Sequence, residues 1–330
     1  MIKNQRLKRI SFITLCSCIF VCIYGQERIS VASFYQGRQA AVSYVFDDGL
    51  EEHFTKVFPE LNKRGLRATF AIIGSKIGGV MHSSQDKANG SNGTPCMTWE
   101  MLRELTSEGH ELSNHGWEHK NVTRLSDEEL RYEVQHNDTI IYEKTGYLPR
   151  TYCYPGNRTT PETVEFCEQN RVGTRTFQVS IGSKRDSVWL RQWIDTLITR
   201  GEWGIGMTHG ITEGYDHFSD PQVLWHHFEY VSTLQNKLWV APFCKVAAYI
   251  HERDNVQLEI KESRDSIIIT PTCTTDSHLF TQPLTLILQG ITIKSAEQKG
   301  HTLTIYEKDE KLLIDFNPYA GNIHIPIIRN

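Results

Sequence analysis

Between residues 41 and 253 the chain alternates short apolar runs with stretches whose apolar residues recur at helical spacing. The runs at residues 41–46, 67–73, 111–113, 151–154, 172–175, 204–208 and 238–241 have the length and the β-branched or aromatic content of buried strands. Between them, Phe54, Val57, Phe58 and Leu61 share one helical face that stops at Gly65. Thr98 is placed to cap a helix ending at Gly109. Ser126-Asp127-Glu128-Glu129 is a capping box that opens a helix running to Gly146, with Leu130, Val134 and Ile141 inward. Strand and helix in turn predict parallel strands joined by crossover helices. Residues 75–95, rich in Gly, Ser and Asn, read as a surface loop.

From about Asn255 the period changes to two: Val256, Leu258, Ile260; Leu284, Leu286, Leu288; Leu312, Ile314, Phe316; Ile323, Ile325, Ile327. No helical pattern interrupts these segments, so they predict a small antiparallel β-sandwich after the α/β part. The division expected is a leader over residues 1–25, a catalytic unit over 26–254 and a β-rich accessory unit over 255–330.

The leader follows from its own pattern. Lys3, Arg6, Lys8 and Arg9 precede an apolar stretch over residues 10–24, after which polarity returns at Gln26 and Glu27. About fifteen apolar residues fall short of the roughly 20 that span a bilayer, so the segment reads as a signal peptide cleaved near Gly25. A membrane anchor and a lipoprotein anchored at Cys18 are weaker readings. The expectation is an exported protein, periplasmic or extracellular, with no stable membrane insertion after cleavage.

With 330 residues, 39% hydrophobic and 22% charged, the chain is long enough for a sizeable core and too apolar to be disordered. A net charge of −4 offers no basic field for nucleic acid, so a neutral partner fits better. Three of the eight cysteines fall in the leader. Cys96, Cys153, Cys167, Cys244 and Cys273 remain, without CxxC spacing, so neither a thiolate zinc site nor a disulfide framework is expected. One bridge stays open, and nothing in the pattern specifies an oligomer.

Candidate chemistry begins with Asp47-Asp48, which follow a buried strand directly and precede Gly49. Asp-Gly is also a common turn signal, so the pair alone does not decide. After the 111–113 strand come His115 and His119, four apart and within reach of one ion across a helical turn. Two histidines and one carboxylate make a three-ligand set that leaves room for water and substrate, as a catalytic zinc requires.

These motifs, together with Tyr44-Val45-Phe46-Asp47-Asp48-Gly49, Arg67-Ala68-Thr69-Phe70 and Gly109-His110-Glu111-Leu112-Ser113-Asn114-His115, resemble the polysaccharide deacetylases of carbohydrate esterase family 4, the NodB-homology domain. The resemblance spans about residues 41–253. It implies a distorted parallel (β/α) barrel and metal-dependent removal of acetyl groups from a carbohydrate polymer or oligosaccharide. It further implies Asp47 as general base, and Asp48, His115 and His119 as ligands of a divalent ion, zinc by first choice. His209, at the end of the 204–208 run, then becomes the general acid.

Tyr152-Cys153-Tyr154-Pro155-Gly156-Asn157 is similar to the family's third motif but one residue shorter, which makes the Gly156 N–H the implied oxyanion donor. The commoner form of that motif carries an arginine that steadies the base. Arg175 is the candidate to replace it here, with Arg150 a second. For the family's fourth motif only Asp186 with Trp189, and Asp195, offer themselves. Trp117 and Trp203 are candidates to stack on sugar rings or to be core.

Other functions fit less well. His115 to His119 also spell the zinc motif of inverted-motif metallopeptidases with Glu118 as base, but that motif needs a long helix and leaves Asp47-Asp48 unexplained. A catalytically silent carbohydrate-binding protein would not need base and ligands together. The motifs do not separate N-deacetylation of amino sugars from O-deacetylation of xylan or a related polymer.

Overall fold

The computed structural model describes residues 28–82 and 93–328, so the expected leader lies outside the described residues. At the centre is the strand Ala40–Phe46, all seven residues buried, as a continuous apolar run requires when both faces are covered. Trp203–Thr208 pairs along one of its edges. The other edge is shared: Leu238–Val240 takes the first half and Thr69–Ile72 the second. Beyond Thr69–Ile72 follow Glu111–Asn114, Thr151–Cys153 and Gly173–Arg175, and Val179–Ser180 flanks Trp203–Thr208. All these pairings are parallel. The two end strands of this eight-stranded sheet are consecutive in the chain, so the sheet curls into a barrel with one seam at residues 176–178.

Strand alternation sorts the central strand's side chains. Val42, Tyr44 and Phe46 face the helices, in a core with Leu61, Leu102, Leu190, Leu224 and Phe228. A fully buried side chain of that size contributes roughly 1.5–3 kcal/mol. Val45 faces inward with Cys153 and Ile205, where Phe243, Ala247 and Ala248 of the helix Phe243–Asn255 plug the barrel. Two residues beyond Val45, Asp47 shares that inward direction and lies at the barrel's open end.

Two helices start where the sequence expects them, at the caps Thr98 and Ser126, and Thr160 and Asp186 cap two more. The helix opened by Ser126 is not uniform, however. Asp127–Arg131 passes into a π-turn over Tyr132–His136 before Asn137–Thr145 resumes the α-helix. A 3.6-residue periodicity does not reveal such a turn.

The C-terminal strands form two antiparallel sheets. Ile267, Ile269, Ile323 and Ile325 of one face Leu284, Leu286, Leu288, Ile314 and Phe316 of the other in a single core, which Trp239, Val246 and Tyr249 join from the barrel side. Two details differ from the sequence expectation. Ile29–Val31, assigned above to the catalytic unit, pairs antiparallel with the Leu284–Gln289 strand, a contact across some 250 residues that no local pattern announces. The Val256–Glu262 strand lies at a sheet edge, and Ile260 on it is exposed. The five cysteines among the described residues are free thiols. No helix among the described residues is long and apolar enough to cross a membrane.

Candidate active site

Asp47 ends the central strand, its N–H bonded to the Thr208 carbonyl at 3.0 Å. Its carboxylate is buried and accepts two bonds from Arg175, Nη1 to Oδ1 at 2.7 Å and Nη2 to Oδ2 at 2.6 Å. Burial would raise the Asp47 carboxyl, but the Arg175 guanidinium, followed by His115, holds it well below the usual carboxylate range. Arg175 comes from the end of the strand Gly173–Arg175. Arg150, the other candidate, instead donates to the carbonyls of His278 and Leu279 and ties the barrel to the sandwich.

Asp48 turns away from its neighbour because its backbone adopts φ +79°, a left-handed conformation that costs a non-glycine residue on the order of 1 kcal/mol or more and concentrates at functional sites. Its Oδ1 is buried without a hydrogen-bond partner. It lies 3.6 Å from His115 Nε2 and 3.8 Å from His119 Nε2. The three donor atoms all lie within 4.8 Å of one another. His115 Nδ1 bonds the Cys153 carbonyl at 2.7 Å, so that nitrogen carries the proton and Nε2 presents its lone pair. Burial pushes His115 down to about 3, which keeps the ring neutral. One orphaned carboxylate oxygen and two histidine nitrogens fit a divalent ion, and zinc takes such a set readily.

The two histidines do not meet across a helical turn, as their spacing suggested. They lie on a loop after the strand Glu111–Asn114, bent by positive φ at Gly116 and His119, which brings the rings to 4.7 Å between centroids. The same loop removes the peptidase alternative: its motif is not helical here, and Glu118 is exposed and paired with Lys120.

His209 follows the strand Trp203–Thr208 and faces the pair from the opposite side, Nε2 4.0 Å from Asp47 Oδ2. Its carbonyl accepts a bond from His53 Nε2 at 2.7 Å. Burial lowers His53 to about 4, so that ring is a neutral donor. The residue behind His209 is Asp216, which no motif singled out: its Oδ2 is 4.0 Å from His209 Nδ1. Ser180 Oγ, Ser183 Oγ and the Ser183 N–H hold that carboxylate. The sequence candidates for this place lie elsewhere, with Asp186 capping a helix and Asp195 bonded to Tyr230 on the surface. Asp216 lies only seven residues past His209, and a bend in the loop folds it back; an acid so placed carries no periodic signature.

These groups open into one cleft of about 650 Å³, whose wall includes Gly156, exposed and at φ +63°, with Tyr154, Asn157, Tyr215 and Lys184. Neither tryptophan lines it. Trp203 begins its strand at the far end of the barrel, where it bonds Ser43 Oγ and packs on Phe243. Trp117 packs edge-on against His136.

The family model for polysaccharide deacetylases matches residues 35–174. Over those residues the chain is similar to the polysaccharide deacetylase family. Asp47, Asp48, His115, His119 and Gly156 lie inside the match, whereas Arg175 and His209 lie past its end and are joined to the others by their contacts with Asp47. The chain is 25% identical over 113 residues to a peptidoglycan-N-acetylglucosamine deacetylase of Bacillus cereus, covering 34% of each. It is 23% identical over 188 residues to the peptidoglycan-N-acetylmuramic acid deacetylase PdaA of Bacillus subtilis, covering 56% of this chain and 58% of that one. These matches therefore span less than two thirds of either relative. A crystal structure from Mycobacterium smegmatis named for the same deacetylase family superposes with TM-score 0.50 at 14% identity, over 68% of this chain and 94% of that one, a likeness of fold.

Proposed function

We propose that this protein hydrolyses acetyl groups from an acetylated polysaccharide or oligosaccharide, with N-acetyl groups of amino sugars as the preferred substrate. The observation that carries the reading is the convergence on one cleft of an arginine-clamped carboxylate, a three-ligand set and a third histidine on the opposite side. The matched relatives named above act on N-acetylated sugars of peptidoglycan, which favours the amide over the ester.

Asp48, His115 and His119 would hold the ion. Bound there, a divalent cation supplies the Lewis acidity that brings water's pKa from about 15.7 toward 7. Asp47, kept ionised by Arg175, would act as the base that takes the proton of the attacking water. The Gly156 N–H donates to the oxygen that gains charge as the carbonyl is attacked. His209 delivers a proton to the departing amine, with Asp216 behind Nδ1 to keep Nε2 toward the cleft. O-deacetylation would use the same groups.

Residues up to about 254 would form the catalytic unit and the sandwich an accessory one that borrows the Ile29–Val31 strand. Export after cleavage near Gly25 is part of the proposal, and N-terminal sequencing of the mature chain tests it. Acetate release from chito-oligosaccharides, peptidoglycan fragments and acetylxylan, measured side by side on zinc-loaded protein, tests the activity. No release from any of the three, with metal bound, would sink it.

A further inference from the structure

A residue outside every motif grips the backbone on both sides of His119. Glu133, buried on the π-turn Tyr132–His136, accepts from the Glu118 N–H at 3.0 and 3.1 Å and from the Lys120 N–H at 2.8 Å. Its own carbonyl accepts from the Trp117 N–H at 2.8 Å. Three amides, at 117, 118 and 120, thus converge on residue 133 and bracket His119.

Gly116 belongs to the same device. Its φ is +81°, and a Cβ built there would collide with Glu133 Oε1, so the carboxylate reaches the loop only because position 116 has no side chain. The π-turn supplies the reach. Besides the Glu133 carbonyl, its Val134 carbonyl turns outward to accept from Asn114 Nδ2 at 2.8 Å. Asn137, just beyond the turn, places Nδ2 2.9 Å from the Gly116 carbonyl and 2.8 Å from Asn114 Oδ1. Single π-turns of this kind occur often beside functional sites.

His115 does not need such help, being buried and anchored on the Cys153 carbonyl. His119 is different: its side chain is 30% exposed, and its backbone is at φ +63°. Its position depends on the backbone on either side, which Glu133 fixes.

We propose that Glu133 is a positioning residue for the metal site, clamping the backbone around His119 so that Nε2 meets Asp48 and His115; this rests on the reading of those three as metal ligands. Outer partners that orient ligands typically change metal affinity by 10–100-fold when removed.

The test measures zinc affinity by chelator competition for the wild type, Glu133→Gln and Glu133→Ala, together with circular dichroism and urea unfolding of each metal-free protein. Glu133→Gln keeps the volume but turns an NH₂ toward amide donors. The expected result is one zinc per wild-type chain, affinity weakened by about 10- to 100-fold in both variants, and folded metal-free proteins with the wild-type spectrum. Gly116→Ala should lower affinity in the wild type by a larger factor than in Glu133→Ala, because the collision is then gone. Zinc binding within twofold of wild type in both variants would overturn the proposal. So would loss of folding of metal-free Glu133→Gln, since Glu133 would then support the helix itself. A wild type that binds no zinc would overturn the metal reading first, and this one with it.

Discussion

Arg175 and Asp47 form a buried two-pronged pair, with both terminal nitrogens of the guanidinium on both oxygens of the carboxylate and almost no solvent access to either. Such a pair ties function to stability. Arg175→Met should leave a buried charge unpaired and destabilise the fold by about 3–5 kcal/mol, measured by urea unfolding. Arg175→Lys keeps the charge without the fork, so it should fold and yet show reduced kcat.

Asp47→Asn tests the proposed division between a base and the metal ligands. The amide is nearly isosteric but takes no proton, so deacetylation should fall by about 10²- to 10⁴-fold while zinc remains bound at one per chain. If Asp47→Asn lost the metal and Asp48→Asn kept it, the two aspartates would exchange roles.

Removal of the ion is the complementary experiment. Dialysis against a chelator should abolish activity, and zinc should restore it. His115→Ala and His119→Ala should lose metal and activity together. Full stoichiometric zinc in the double variant would remove the histidines from the site.

What the sequence made legible was set by range. The central strand and its following carboxylates are local, and a buried apolar run ending in Asp47-Asp48 carries its meaning within eight residues. The family motifs extended that to His115, His119 and His209, and to Gly156 on the cleft wall. The position of Arg175 was open because its partner is 128 residues away. Asp216 was invisible because an aspartate in a loop has no period, and its relation to His209 arises only when the chain bends back. The Ile29–Val31 strand failed for the same reason as Arg175, since its partner strand lies near the other end of the chain.

Glu252 makes stability depend on pH. Fully buried on the helix that plugs the barrel, it accepts from the Gln282 N–H, and burial raises its carboxyl from 4.5 to about 7. The folded state therefore keeps this proton where the unfolded chain has released it. The stability tied to neutral Glu252 is fully present below about pH 4.5 and is lost as pH rises through about 7, by up to roughly 3 kcal/mol. Glu252→Gln, permanently neutral, should be more stable than wild type at pH 8 and equal to it near pH 4. A difference between the two that does not change with pH would show that Glu252 does not titrate in this window.

The roles of His209 and Asp216 can be separated by the choice of leaving group. An amine leaves poorly without a proton, whereas the alkoxide or phenoxide of an activated acetate ester leaves readily. If His209 protonates the leaving group, His209→Ala should depress N-deacetylation by a much larger factor than hydrolysis of the ester, with zinc still bound. Asp216 touches His209 only from behind, 4.0 Å from Nδ1, and is itself held by Ser180 and Ser183. Asp216→Asn should therefore show the same preference for damage to the amide reaction, at a smaller magnitude, because the imidazole remains and only its orientation and charge support are weakened. In the double variant the second substitution should add little, since two residues that act through one proton are not additive. Equal losses on amide and ester would instead assign His209 to the oxyanion, and full additivity would detach Asp216 from it.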